Sequence, residues 1–162
     1  MAYNDYNSGR PNYGGGRPNR PPFNGGGNSF GQQPRKEVPD WIETDFQSDW
    51  ITDKINSAFI NYAEKVGKEL KNQNLSSSQI RNIYGEMKRI QLGKFEDLKT
   101  SFLLLKPKLA YNVGRNGTVG LKIFQKIFDM CYQLVSDDPK KYGNFCSVIE
   151  AIIAYHRANG GK

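Results

Sequence analysis

A chain of 162 residues has room for one ordinary domain and a tail. Its formal charge of +7, from 23 Lys and Arg against 16 Asp and Glu, turns it toward phosphate-rich polymers or anionic surfaces. No stretch approaches the roughly 20 apolar residues that a membrane span needs, and the opening MAYNDYNSGR lacks the apolar run of a secretory signal. A cytoplasmic protein is expected, with no membrane partner. In that setting Cys131 and Cys146, each among apolar neighbours, stay reduced and serve as small buried hydrophobes.

Residues 1–38 hold eight of the 17 glycines, five of the eight prolines and six asparagines, with no Ile or Leu. Such a segment buries too little apolar surface to offset the entropy of ordering it, so a disordered N-terminal arm is expected. The helical domain then occupies residues 39–162. Within the arm, Gly9-Arg10-Pro11-Asn12 recurs as Gly16-Arg17-Pro18-Asn19. Arg10, Arg17, Arg20 and Arg35 alternate loosely with Tyr3, Tyr6, Tyr13, Phe23 and Phe30. That mixture suits loose contact with single-stranded nucleic acid, rings on bases and arginines on phosphates. A solubilising tail fits the composition equally well.

Asp40 to Asp53 carries five carboxylates and no basic residue. From Ile51 the spacing of Ile51, Ile55, Phe59, Tyr62, Ala63, Val66 and Leu70 predicts one helix face. Asp49, Thr52 and Asp53 would cap its start, where oxygens meet unpaired N–H groups. A calcium loop is excluded, because the alternating oxygen ligands around a central Gly are missing. Ser76 and Gln79 stand at capping-box spacing ahead of a second helix marked by Ile80, Ile83, Tyr84, Met87 and Ile90, ending near Gly93. A third runs from Phe95 through Leu98, Phe102 and Leu105 to Lys106, where Pro107 is expected to break it. A short piece to about Val113 and a loop over residues 114–120 lead to a fourth helix. Its apolar side carries Leu121, Phe124, Ile127, Phe128, Cys131, Leu134 and Val135. Pro139 opens the last connection, and Phe145, Val148, Ile149, Ile152 and Ile153 mark a final helix. The expected fold is all-α: a compact bundle of about five helices behind a Gly/Pro/Asn/Arg-rich arm.

Catalysis needs a positioned nucleophile, base, metal or cofactor. The single histidine, His156, has no Cys or Glu at ligand spacing and is expected to favour the negative end of the last helix or to face solvent. Asp137-Asp138 precedes Pro139 as a turn signal, and the cysteines form no C-x-x-C pair. No catalytic residue, metal ligand or cofactor is assigned, and the chain is not read as an enzyme. The segment from Gly114 to Lys122 is glycine-rich and leads to a helix, but it lacks the preceding strand and the Gly-Lys-Ser/Thr ending of a nucleotide loop. Its backbone N–H groups beside Arg115 suit a phosphodiester, although an ordinary connection is the favoured reading.

Positive charge gathers in the middle of the chain. Between Arg81 and Lys126 ten basic residues face three acids, Glu86, Glu96 and Asp97. Arg81, Gly85, Lys88 and Arg89 share a face of the second helix, Lys106 and Lys108 flank the proline, and Lys122 and Lys126 meet on the fourth helix. A soluble face usually mixes Lys with Glu, and this one mostly does not. Phosphate binding by Arg81, Lys88, Arg89, Lys106, Lys108, Arg115, Lys122 and Lys126 is the expectation.

Three blocks sharpen this. Leu75-Ser-Ser-Ser-Gln-Ile-Arg81, then Leu105-Lys-Pro-Lys-Leu-Ala-Tyr-Asn-Val-Gly-Arg115, then Phe145 with Val148-Ile-Glu-Ala-Ile-Ile-Ala-Tyr-His156 resemble the small subunit of type III-A CRISPR (Csm) effector complexes. The resemblance spans about residues 50–158, and the Lys-Pro-Lys-Leu-Ala-Tyr block is its most specific part. It implies a helical, non-catalytic subunit present in several copies, stacked along the guide RNA–target RNA duplex beside the other Csm subunits. Arg81, Lys106, Lys108 and Arg115 fall inside it; the arm does not. The readings kept beside it are a stand-alone single-strand binder and a helical protein–protein adaptor.

Overall fold

The computed structural model describes Gly9 and residues 37–162, so the expected disorder of residues 1–38 lies almost wholly outside the described residues. The chain divides into Met1–Pro34 and Arg35–Lys162, and the helices described below lie in the second unit. Two single-turn helices come first, α1 (Trp41–Thr44) and α2 (Asp49–Thr52). Five long helices follow: α3 (Ser57–Asn72), α4 (Ser77–Leu92), α5 (Lys99–Asn116), α6 (Val119–Val135) and α7 (Pro139–Ala158). A 3-10 turn, Phe95–Leu98, leads directly into α5, and no strand occurs among the described residues. The all-α bundle read from periodicity is the fold.

The acidic stretch supplies core residues and not the expected helix cap. It carries Ile42, Trp50 and Ile51 into the core, all at most 1% exposed. The continuous helix expected from Ile51 is interrupted. The chain leaves α2 at Thr52 and restarts at Ser57, with Asn56, not Asp49, Thr52 or Asp53, as the N-cap. One side-chain oxygen explains the break: Asn56 Oδ1 accepts the Phe59 backbone N–H and the Trp50 indole N–H, each at 3.1 Å. A buried indole needs an acceptor and a helix start needs a cap, and a single amide supplies both. Asn144 of α7 fastens the turn by donating to the Ile51 and Asp53 carbonyls at 2.9 and 3.2 Å. Trp50 packs against Phe46, Phe59 and Tyr62, and the Tyr62 hydroxyl donates to the Ile42 carbonyl at 2.8 Å.

α4 starts as expected, with Gln79 Oε1 accepting the Ser76 N–H at 2.9 Å. The break expected at Pro107 is absent: α5 runs through it. A proline there deprives the Leu103 carbonyl, four residues back, of its helical donor. The Tyr132 hydroxyl on α6 points at that carbonyl from 3.4 Å, a long hydrogen bond from a neighbouring helix. Because α5 continues to Asn116, the loop expected over residues 114–120 shrinks to Gly117 and Thr118. Gly120 lies inside α6 for a packing reason, since a Cβ there would sit 2.8 Å from the Gln73 carbonyl and the Leu75 nitrogen. Pro139 likewise belongs to its helix, at the first position of α7, where its missing N–H has no cost.

α7 is the central element, in contact with α2, α3, α4 and α6. Its closest crossing is with α3 at Gly67, where a Cβ would lie 2.6 Å from Tyr155 Cβ and 2.7 Å from the His156 nitrogen. His156 does not face solvent. It is fully buried, with Nε2 2.8 Å from the Leu75 carbonyl and Nδ1 without a hydrogen-bond partner among the described residues. Cys131 and Cys146 are buried and unpaired, as their apolar surroundings required.

Candidate nucleic-acid interface

Helices α4 and α5 lie side by side and leave a groove of about 720 Å³ between them. From α4 come Arg81, Asn82, Gly85 and Glu86; from α5 come Leu104, Pro107, Lys108, Tyr111 and Asn112. The continuity of α5 through Pro107 builds this wall. Leu104, Lys108, Tyr111 and Arg115 recur at spacings of four, three and four, so an unbroken helix sets them along one side. Arg81 and Arg115 are exposed and make no ion pair among the described residues. Tyr111 is 66% exposed and Leu104 47% exposed, so the groove has apolar surface open between its cations.

Glu86 is the carboxylate of the groove. Arg89 grips it with two hydrogen bonds, Nε to Oε2 at 3.0 Å and Nη2 to Oε1 at 2.8 Å, while Lys108 stands 3.5 Å away. The Arg89 bond, and then the Lys108 charge, hold the Glu86 carboxyl below the usual carboxylate range despite partial desolvation. Arg89 also donates to Ser101 Oγ at 2.7 Å, so its guanidinium is spent on protein partners. Arg89 and Lys108 flank this one acid and Arg81 lines the same groove, so the local excess stays positive.

The other candidates sit elsewhere, and each has a carboxylate partner. Lys88 pairs with Glu150 of α7 at 2.7 Å, and that hydrogen bond raises its pKa. Lys106, expected beside Lys108 at a corner, instead points to α6, 3.8 Å from Asp129 and over the Tyr132 ring. Asp129 has one oxygen buried without a hydrogen bond, and this burial raises its pKa against the pull of Lys106 and Lys126. Lys122 pairs with Glu37, and Lys126 with Glu43 at 2.8 Å. The excess counted between Arg81 and Lys126 is therefore partly answered by acids from outside that stretch. The structure brings Arg81 and Lys108 into one groove, leaves Arg115 about one helical turn beyond the last lining residue, Asn112, and distributes Lys88, Lys106, Lys122 and Lys126 over other seams. Sequence reasoning missed Asn82, Leu104 and Tyr111. The signal available was Tyr111 seven residues after Leu104 and four before Arg115.

The Gly117–Thr118 turn is closed by the protein itself. Thr118 Oγ1 accepts the Leu121 N–H at 3.2 Å, and Gln79 Nε2 reaches Thr118 Oγ1 and the Asn116 carbonyl at 3.3 and 3.4 Å. Asp138 is a helix cap, accepting the Lys140 N–H at 2.8 Å. Burial pushes the Cys146 thiol up to about 11 and Cys131 higher still, away from the thiolate form that reacts. No cluster of three or more His, Cys, Asp or Glu suited to a metal gathers among the described residues, and none of the described helices is long and apolar enough to cross a membrane.

Against known proteins, the family model described as Csm2 Type III-A matches residues 53–162, which takes in α3 to α7 and leaves α1 and α2 outside. No curated protein and no solved structure matches the chain.

Proposed function

The chain belongs to the Csm2 Type III-A family and is a subunit of the type III-A CRISPR complex; from that premise we propose that it is a non-catalytic RNA-binding subunit. Several copies stack along the guide RNA–target RNA duplex, beside the other Csm subunits, and hold its sugar-phosphate backbone without reading sequence. The observation that carries this reading is the α4/α5 groove, where Arg81 makes no ion pair among the described residues and Lys108 is only loosely engaged by Glu86, with Arg115 exposed further along α5. Cations held on a rigid helix suit phosphates, and backbone contacts suit a complex whose specificity comes from guide pairing.

The test is photocrosslinking in the assembled complex loaded with guide and target RNA, followed by peptide mapping. Crosslinks to α4 and α5 peptides around Arg81 and residues 108–115 are expected. Assembly with crosslinks confined to other subunits contradicts the reading. That outcome selects the adaptor reading, which draws on the carboxylate partners of Lys88, Lys106, Lys122 and Lys126.

A further inference from the structure

We infer that the α4/α5 groove takes one unpaired RNA base, stacked on the ring of Tyr111, with Arg81 and Lys108 on the phosphates beside it. The inference rests on the RNA-binding reading and adds to it a ligand feature: a base outside any helix, and not the backbone alone.

Tyr111 stands apart from the buried tyrosines. Tyr62 and Tyr142 are buried, with hydroxyls donating at 2.8 Å to the Ile42 and Met87 carbonyls, and Tyr132 stacks on Phe102 with centroids 4.5 Å apart. Tyr111 is 66% exposed and makes no ring contact or hydrogen bond among the described residues. A large ring held out on a helix has little to gain in water. It gains on the order of 1–3 kcal/mol by stacking a nucleobase, whichever base that is.

The surroundings complete a nucleotide-sized site. Leu104 and Pro107 give apolar walls, and Gly85 presents bare backbone with open space where its Cβ would be. The Asn82 and Asn112 amides offer donors and acceptors to a base edge without requiring one base. A groove of about 720 Å³ falls within the roughly 300–1,000 Å³ of sites for small organic ligands. Arg81 makes no ion pair among the described residues, and Lys108 shares Glu86 with an arginine that holds it more closely, so both are available to phosphate. Bases inside a duplex hide both faces in the stack, so only a displaced or single-stranded base reaches the ring.

The test uses the full chain and single-stranded RNA carrying the fluorescent adenine analogue 2-aminopurine, together with the same RNA holding an abasic site in its place. Wild type should quench the fluorophore on binding. Tyr111→Leu should lose the quenching and about tenfold in affinity, and Tyr111→Phe should keep both. Abasic RNA should bind wild type and Tyr111→Leu alike. Quenching that survives in Tyr111→Leu, no quenching by wild type, or an equal Tyr111→Leu loss on abasic RNA overturns the inference. A second variant, Arg81→Ala/Arg115→Ala, separates the two claims. If it weakens binding to both RNAs while Tyr111→Leu changes nothing, only the stacked base is lost. If it too changes nothing, the RNA-binding reading falls with it.

Discussion

Gly67 is where two helices come closest, and it sets a sharp test of the packing. A methyl there meets Tyr155 Cβ and the His156 backbone nitrogen at 2.6–2.7 Å, atoms that cannot move without shifting α7. Gly67→Ala should lower stability by about 1–3 kcal/mol in chemical denaturation. Gly143→Ala, also helical but with nothing within 4 Å of its would-be Cβ, should instead raise it by about 0.5–1 kcal/mol. Equal effects at the two sites would show that α3 and α7 do not cross this closely. Asp129 sets a second test through its charge. Burial raises its folded pKa, so the ionised form is penalised in the fold above that pKa and the penalty vanishes below the unfolded value. Asp129→Asn should therefore be more stable than wild type near pH 7, with the gain shrinking as pH falls through the carboxylate range. A gain that grows toward acid would mean the Lys106 pair outweighs desolvation.

Among the elements, α5 is the one on which the groove depends. Pro107→Ala restores a donor to the Leu103 carbonyl, and in a helix interior alanine is favoured over proline by up to roughly 3 kcal/mol. Stability should rise in chemical denaturation, with helix α5 continuous from Leu104 to Arg115 as before. A fall in stability would mean that the proline ring packs where alanine cannot. This helix also shows where sequence reading stops. Periodicity located the long helices because Ile80, Ile83, Met87 and Ile90, or Leu121, Phe124, Ile127 and Phe128, repeat at the helical period and are buried. Capping chemistry was legible where both partners are local, as at Ser76 and Gln79. It failed where partners come from afar. Nothing near Pro107 reveals that Tyr132 on α6 will face its orphan carbonyl, and nothing near Thr52 reveals that Trp50 will share Asn56 with a new helix. Pro107 reads as a break, and half of the groove wall is hidden by that reading.

Over the whole molecule, charge behaves in the same non-local way. Lys122 and Lys126 find Glu37 and Glu43, more than 80 positions away, and Lys88 finds Glu150, 62 positions away. A count along a window of sequence cannot see such partners, although it did include Arg81 and Lys108, which the fold brings to one groove. Exposed pairs of this kind are worth roughly 0–1 kcal/mol, so they reduce a lysine's pull on phosphate without abolishing it. Replacing the pairs should thus rank the cations. Arg81→Ala/Arg115→Ala should weaken RNA binding more than Lys122→Ala/Lys126→Ala, measured by filter binding at one salt concentration. The reverse order would move the interface to α6.

The most direct measurement is the salt dependence of RNA affinity for the full chain and for Arg81→Ala/Lys108→Ala/Arg115→Ala, each alone and in the assembled complex. Circular dichroism must first show that the variant is folded, because long basic side chains also cover apolar surface with their stems. Each lost phosphate contact should flatten the slope of log affinity against log salt by roughly 0.7 on single strands and 0.9 on duplex, about equally for every sequence tried. A slope reduced by about 2 on single strands, with weaker binding, is the predicted result. A folded variant that assembles and keeps the wild-type slope and affinity would contradict it, and would leave these three cations as a solvated face.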